Sequence, residues 1–491
     1  MIRRLILLVT LMWALPLIAA PKYEIRAVWL STIYGLDWPV TQVTSPAKIE
    51  QQKQQLCSIL DELEKININT IFFQSRIRGD VVYRSAMEPW SKTLTGKAGN
   101  APGYDPLAFA IEECHKRGME CHAWLVTFPL GTEKHVKELG NSSVVKKNPS
   151  ICKRYNGEWF LDPGNPGTSD YLTRLVRELV QNYDVDGVHF DYIRYPEKAK
   201  GFPDSDTFKK YGKGKSLSNW RRENINNIVY RIYDNVKQIK PWVQVSSAPL
   251  GKYSRLPKVP NAGWTAYEDV YQDPKDWITK GKHDFIAPMM YYKEHLFFPF
   301  VDNWVEDSNG RFVIPGLGAY RMNKEEANWS VNIITDQIDY GRYYGTAGVA
   351  FFRCGNLLSN TKGILKELQS NYYKHPAMLP PLSWLNNEAP SAPSLVKAYK
   401  DGTDLCLEWD MLLDYKKKDL TFTVYRSKAE PVDINDATNI VITRAMGNKI
   451  WIPLDESREE GFFYVVTASN RYRTESEISP SVYYYASKYI K

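Results

Sequence analysis

The run Asp186 to Pro196, DGVHFDYIRYP, carries the densest chemistry in the chain. Read as a strand, it puts Gly187, His189 and Asp191 on one face and Val188 and Phe190 on the other. Val188 and Phe190 suit packing against helices, so the first three residues face inward, with a carboxylate at the strand's C-terminal end. Other runs repeat the arrangement. Gln74 and Arg76 alternate with Phe73 and Ser75, His122 shares a face with Trp124, and DFIAPMMYY ends in Tyr291 and Tyr292. Arg76, His122, Trp124, His189 and Asp191 are therefore expected to meet in one polar cup with aromatic walls. Inward charged groups are costly to bury without a function. A carboxylate among aromatic rings suits acid–base work on a sugar.

Such chemistry generally needs a second carboxyl. Asp37, Asp80, Glu88 and Glu294 all follow strand-like runs. Glu88, between Met87 and Pro89 with Trp90 just beyond, fits a protonated donor better than Asp80, which follows Gly79, because apolar surroundings raise a carboxyl's pKa. The expected assignment makes Asp191 the base or nucleophile and Glu88 or Asp80 the donor. Arg76, Trp90, His122, Trp124, His189, Arg194, Tyr291 and Tyr292 are expected to bind the sugar. The spacing of His122, His189 and Asp191 matches no metal-ligand motif. The absence of a G-x-S-x-G turn speaks against nucleophilic serine chemistry, and with no phosphate-cradling glycine loop and no metal-ligand spacing, no metal or other cofactor is expected. The rival reading is a carbohydrate-binding protein without catalysis. Asp191 locked to Arg76 or Arg194, with no second acid nearby, would mark it.

These side chains need a scaffold, and from Glu24 to about Tyr373 short β-rich runs alternate with amphipathic helical stretches. The strand runs begin near Glu24, Thr70, Glu120, Val185, Val243, Asp284, Arg311 and Gly348. Asp105 followed by Pro106 starts one helix as an N-cap with proline at the first position, and Gly118 ends it. Eight strand–helix repeats predict an α/β fold, a (β/α)8 TIM-type barrel whose strand ends and following loops build the active site. A proline-rich linker, 376–392, closes the barrel at residue 375. Residues 393–491 read as short strands and turns, a small all-β sandwich resembling a fibronectin type III module.

Aromatic residues make up 13% of the 491, with 15 Trp and 32 Tyr, an excess suited to stacking on sugar rings. The first twenty residues have the order of a secretory signal: Arg3 and Arg4, an apolar run from Leu5 to Ile18, then Ala19 and Ala20. An exported, periplasmic or extracellular protein without stable membrane insertion is expected. The net charge of +7 falls to +5 without Arg3 and Arg4, and with no Lys/Arg block this speaks against nucleic acid. The partner expected instead is a glycan. The six cysteines form no C-x-x-C pair and are expected mostly as buried thiols, with at most one or two bridges.

Four stretches carry a resemblance to a known family: EIRAVWLST with DWP, the long run from Gln74 to Leu125, DGVHFDYIRYP, and YQDPKDWITKGKHDFIAPMMYY. They are similar to the glycosyl-hydrolase-like family 10 proteins, exported bacterial barrels, over roughly Tyr23 to Tyr373. The resemblance implies a glycosidase-type activity, with peptide-free cell-wall glycan as a substrate for at least some members. Many relatives carry two adjacent aspartates on the fourth strand. Here Tyr192 stands in the second place and Arg194 follows, which leaves the strand-four role to Asp191.

Overall fold

The computed structural model of the chain describes residues 20–197, 199–394, 396–410, 419–454 and 460–486. Apart from Ala20, the expected leader lies outside the described residues. Nine short strands make one parallel sheet: β1 (Ile25–Leu30), β2 (Thr70–Arg76), β3 (Glu120–Val126), β4 (Gly187–Asp191), β5 (Gln244–Ser247), β6 (Phe285–Ile286), β7 (Phe312–Val313), β8 (Gly316–Leu317) and β9 (Gly348–Phe351). Their order is β7-β6-β5-β4-β3-β2-β1-β9-β8. Each lies within one of the eight expected runs. The seventh run yields two strands because Pro315, which has no N–H, interrupts the ladder. Strands β7 and β8 are thus pieces of one extended segment that pairs with β6 on one side and β9 on the other. The sheet curls accordingly.

Period-two alternation divides the apolar residues between the two faces of this sheet. Val28, Leu30, Ile71, Phe73, Val188 and Phe190 face outward to helical residues such as Leu60, Leu172 and Leu175. Ile25, Ala27, Trp29, Phe72, Trp124, Phe285 and Ala350 pack together inside the curl. The helices that cover the outside include α1 (Pro46–Lys65), α2 (Pro106–Lys116), α3 (Pro166–Asn182) and α4 (Leu217–Ile239). Asp105 caps α2, accepting the Ala108 N–H at 3.2 Å. Gly118 takes a left-handed φ of 68° beyond its end. Among the described residues no helix is long and apolar enough to cross a membrane.

One sheet was not expected from the sequence, and neither was the ion pairing that ties the expected all-β C-terminal region to the curled sheet. After β3 the chain builds a small antiparallel sheet from Pro129–Thr132, Cys152–Tyr155 and Glu158–Leu161, which overhangs the C-terminal ends of the strands. At the opposite end, the C-terminal region forms two antiparallel sheets around a core that includes Trp409, Phe422, Val424 and Val466. These sheets are tied to the foot of the curled sheet by buried charges. Glu120, at the start of β3, accepts from Arg473 Nε at 2.9 Å and from Arg444 Nη1 at 3.3 Å. Asp186, just before β4, lies 3.5 Å from Arg444 Nη2. All six cysteines are unbridged thiols, five of them buried.

Candidate active site

Inside the curl, the inward residues of β4 are stacked as a column. Gly187 is required at its base, because a Cβ there would collide with the His122 ring. His189 sits above it, stacked on Phe72 with ring centres 4.1 Å apart. Its Nε2 accepts the Trp29 indole N–H at 3.1 Å, which leaves Nδ1 as the donor to Ser246 Oγ at 2.9 Å. Burial, with His122 and His283 nearby, holds the His189 imidazole well below its usual pKa. It is a neutral pillar. Asp191 tops the column and opens onto a cleft of about 560 Å³ walled by Trp29, Trp124, Tyr192, Tyr291 and Phe352.

The Asp191 carboxylate is oriented without being ion-paired. Trp124 Nε1 donates to one oxygen at 3.3 Å and the Tyr192 backbone N–H to the other at 2.7 Å. Tyr192 reaches this position with a left-handed φ of 50° and lays its ring against the Arg194 guanidinium, 4.5 Å from the ring centre. Burial pushes the Asp191 pKa up to about 6, against the opposing pull of Arg194 and the two N–H donors. Among the described residues Asp191 belongs to no salt bridge. Arg194 is buried, lines the same cleft, and leaves its Nε without a partner.

The cup thus gathers Asp191, Trp124, Arg194 and Tyr291 of the expected residues, and the others lie elsewhere. His122 is buried below the floor, 3.0 Å from Glu120. Arg76 is turned away by a bulge. In the pairing with β3 the register shifts between Gln74 and Arg76, so Gln74 stands opposite Trp124 while Arg76 stands opposite the outward Leu125. Gln74 does face the cleft, its Oε1 accepting the N–H groups of Thr32 and Ile33 at 2.9 and 2.8 Å. Arg76 instead grips Glu88 through Nε and Nη2 at 2.8 and 2.7 Å. Tyr171 on α3 completes that buried group, donating to Glu88 at 2.7 Å. Glu88 therefore lies behind the sheet and not at the cleft, and Trp90 packs beside it against the outer core. Asp80 is buried under a neighbouring depression. Burial works against its ionisation, but His135, Ser91 and the Arg78 N–H outweigh it and hold the carboxyl below its usual pKa. A carboxyl held ionised is a poor proton donor. Tyr292 carries the Lys252 ammonium over its ring at 4.0 Å, outside the cleft lining.

Two carboxylates not picked out from the sequence do line the cleft, Glu158 and Glu197. Glu158 comes from the small overhanging sheet and is held 3.1 Å from Arg78 Nη1. Glu197 follows Pro196 on the exposed loop after β4. Among the described residues no group of three or more His, Cys, Asp or Glu side chains is arranged to hold a metal ion.

The glycosyl hydrolase-like 10 sequence pattern matches residues 24–315. The chain belongs to this family. It is 32% identical over 480 residues to the glycosyl hydrolase YngK of Bacillus subtilis strain 168, covering 93% of this chain and 92% of the relative. It is 33% identical over 339 residues to the glycosyl hydrolase DigH of Escherichia coli K12, covering 62% of this chain and 76% of the relative. The glycoside hydrolase domain of PgaB (BpsB) from Bordetella bronchiseptica superposes with a TM-score of 0.50 at 15% identity, over 72% of this chain and 99% of that domain, a likeness of fold. Within the chain, the glycosyl hydrolase-like 10 match includes Asp191 and Glu158 and ends before the C-terminal sheets.

Proposed function

We propose that this chain is a glycoside hydrolase that cleaves a glycan in the cleft above β4, with Asp191 as its acid/base carboxyl and Glu158 as the second carboxyl. The observation that carries this reading is the Asp191 carboxyl itself: buried in an aromatic-walled cleft, oriented by two N–H donors, in no salt bridge among the described residues, and with its pKa raised to about 6. That state can give or take a proton near neutrality. Two features speak against a binding protein that has lost catalysis. Asp191 is not locked to Arg76 or Arg194, and second acids line the same cleft. Tyr192, Tyr291 and Phe352 keep part of their rings exposed in the cleft for contact with sugar rings, and the Arg78 pair fixes where the Glu158 carboxylate stands.

The same reading takes the curled sheet, residues 21–375, as a (β/α)8 barrel, supported by the single segment that carries both β7 and β8. It takes 376–392 as a linker and 393–491 as a fibronectin type III-like module on an exported protein. The substrate suggested by the family resemblance is peptide-free cell-wall glycan. The test is incubation of the protein with peptide-free peptidoglycan strands and with plant and host polysaccharides, followed by mass spectrometry of released fragments. Release that disappears in Asp191→Asn supports hydrolysis at this cleft. Binding without release assigns the chain to the non-catalytic reading. Glu158→Gln should slow natural glycan, and an effect confined to Glu197→Gln would move the second role to Glu197.

A further inference from the structure

Beside the cleft lies a second depression of about 210 Å³, and Ile33, Ile77 and Arg78 line both. The loop after β1 runs along the two: Leu36 lines the cleft, Ile33 lines both, and Tyr34 lines only the depression. Tyr34 is 71% exposed and keeps a left-handed φ of 56°, a conformation uncommon for a bulky residue. It makes no ring stack with another aromatic among the described residues. Lys134 lines the same depression as an exposed cationic donor, while His135 Nε2 is taken by the Arg78 carbonyl at 3.1 Å. An open aromatic face with a donor beside it is the wall chemistry of the cleft repeated one step farther out. A flexible polymer cut at Asp191 has to leave the cleft by some route, and the shared wall supplies one.

We propose that this depression is a distal sugar subsite, with Tyr34 as its stacking platform, and that the protein holds a glycan chain on through it and cuts within long chains. The proposal rests on the hydrolase reading for its cleavage step but not for its binding step. The test uses a size series of peptide-free peptidoglycan oligosaccharides, from disaccharide to decasaccharide, with the full chain. For the parent, kcat/KM should rise with length and early products should be internal fragments. In Tyr34→Ala the rise should flatten, with a loss on the longest chains of roughly fivefold to tenfold, the size of one aromatic contact. Tyr34→Phe, which keeps the ring, should keep the rise. Calorimetric binding of the same series to Asp191→Asn, with and without Tyr34→Ala, separates the two readings. Length-dependent, Tyr34-dependent binding without any parent turnover leaves the subsite standing and removes the hydrolase. Equal affinity for all lengths, or a length dependence that Tyr34→Ala does not alter, overturns the subsite.

Discussion

Trp124 Nε1 lies 3.3 Å from Asp191 Oδ2, so the ring that walls the cleft also aims its carboxylate. An indole N–H can only donate, and it therefore orients an oxygen without taking its proton. With the Tyr192 N–H on the other oxygen, the carboxyl is fixed in place yet free to change charge.

Asp191→Asn keeps an acceptor for one of the two N–H donors, since its amide nitrogen cannot accept, and loses the ionisable oxygen. Turnover on any glycan the parent cleaves should fall by about a thousandfold or more. Stability should move the other way. Burial raises this carboxyl from 3.8 in the unfolded chain to about 6 in the fold. A raised carboxyl binds extra protons when folded, so its cost is absent below the unfolded value and fully present above the folded one. The variant should accordingly be more stable than the parent at pH ~8, by about 1–3 kcal/mol, and equal to it at pH ~3. Thermal melts at both pH values check this. A variant less stable than the parent at pH ~8 would sink the burial argument.

Arg194 pulls the Asp191 pKa down against burial. In the parent, the pH profile of kcat/KM should show a limb near 6. Arg194→Gln removes the cation, so that limb should move to higher pH. A drop in rate at every pH with the limb unmoved would mean that Arg194 acts on substrate and not on Asp191.

Glu88 is bound bidentately by Arg76 and capped by Tyr171, with no exposure of either charged side chain. Removing one partner of a buried ion pair typically costs about 3–5 kcal/mol. Glu88→Gln should lower the melting midpoint strongly. The folded fraction should slow equally on natural glycan and on a substrate with an activated leaving group. Selective slowing of natural glycan would instead return the donor role to Glu88.

Glu120 is buried where the C-terminal sheets meet the foot of β3, and Arg473 and Arg444 supply its countercharge. Ending the chain before residue 393 would leave that carboxylate and Asp186 without these partners. The shortened protein should melt well below the full chain. Glu120→Gln should recover part of the difference in the shortened form, and a shortened protein as stable as the parent would show that the ion pairs contribute little.

The eight strand runs, their inward and outward faces apart from Arg76, the helix cap at Asp105 and the all-β character of the C-terminal region were legible from local pattern, because each depends on alternation, capping or turn chemistry within a few residues. Asp191 was legible for the same reason. The family resemblance over the curled sheet added what such patterns cannot supply, an expectation about the reaction.

Tertiary structure decided which of the polar residues meet. A single bulged position after Gln74 turned Arg76 outward, and no feature of TIFFQSR distinguishes that register from a regular one. Arg76 then took Glu88, a residue that looked apt as a donor only while its partner was unknown. Glu158 entered the cleft from a small sheet whose three strands are too short to announce themselves. Local sequence sets a residue's face along its own strand. Pairing register and long-range charge partners are settled between segments, where burial and ion pairing across 12 or 353 residues outweigh any local preference.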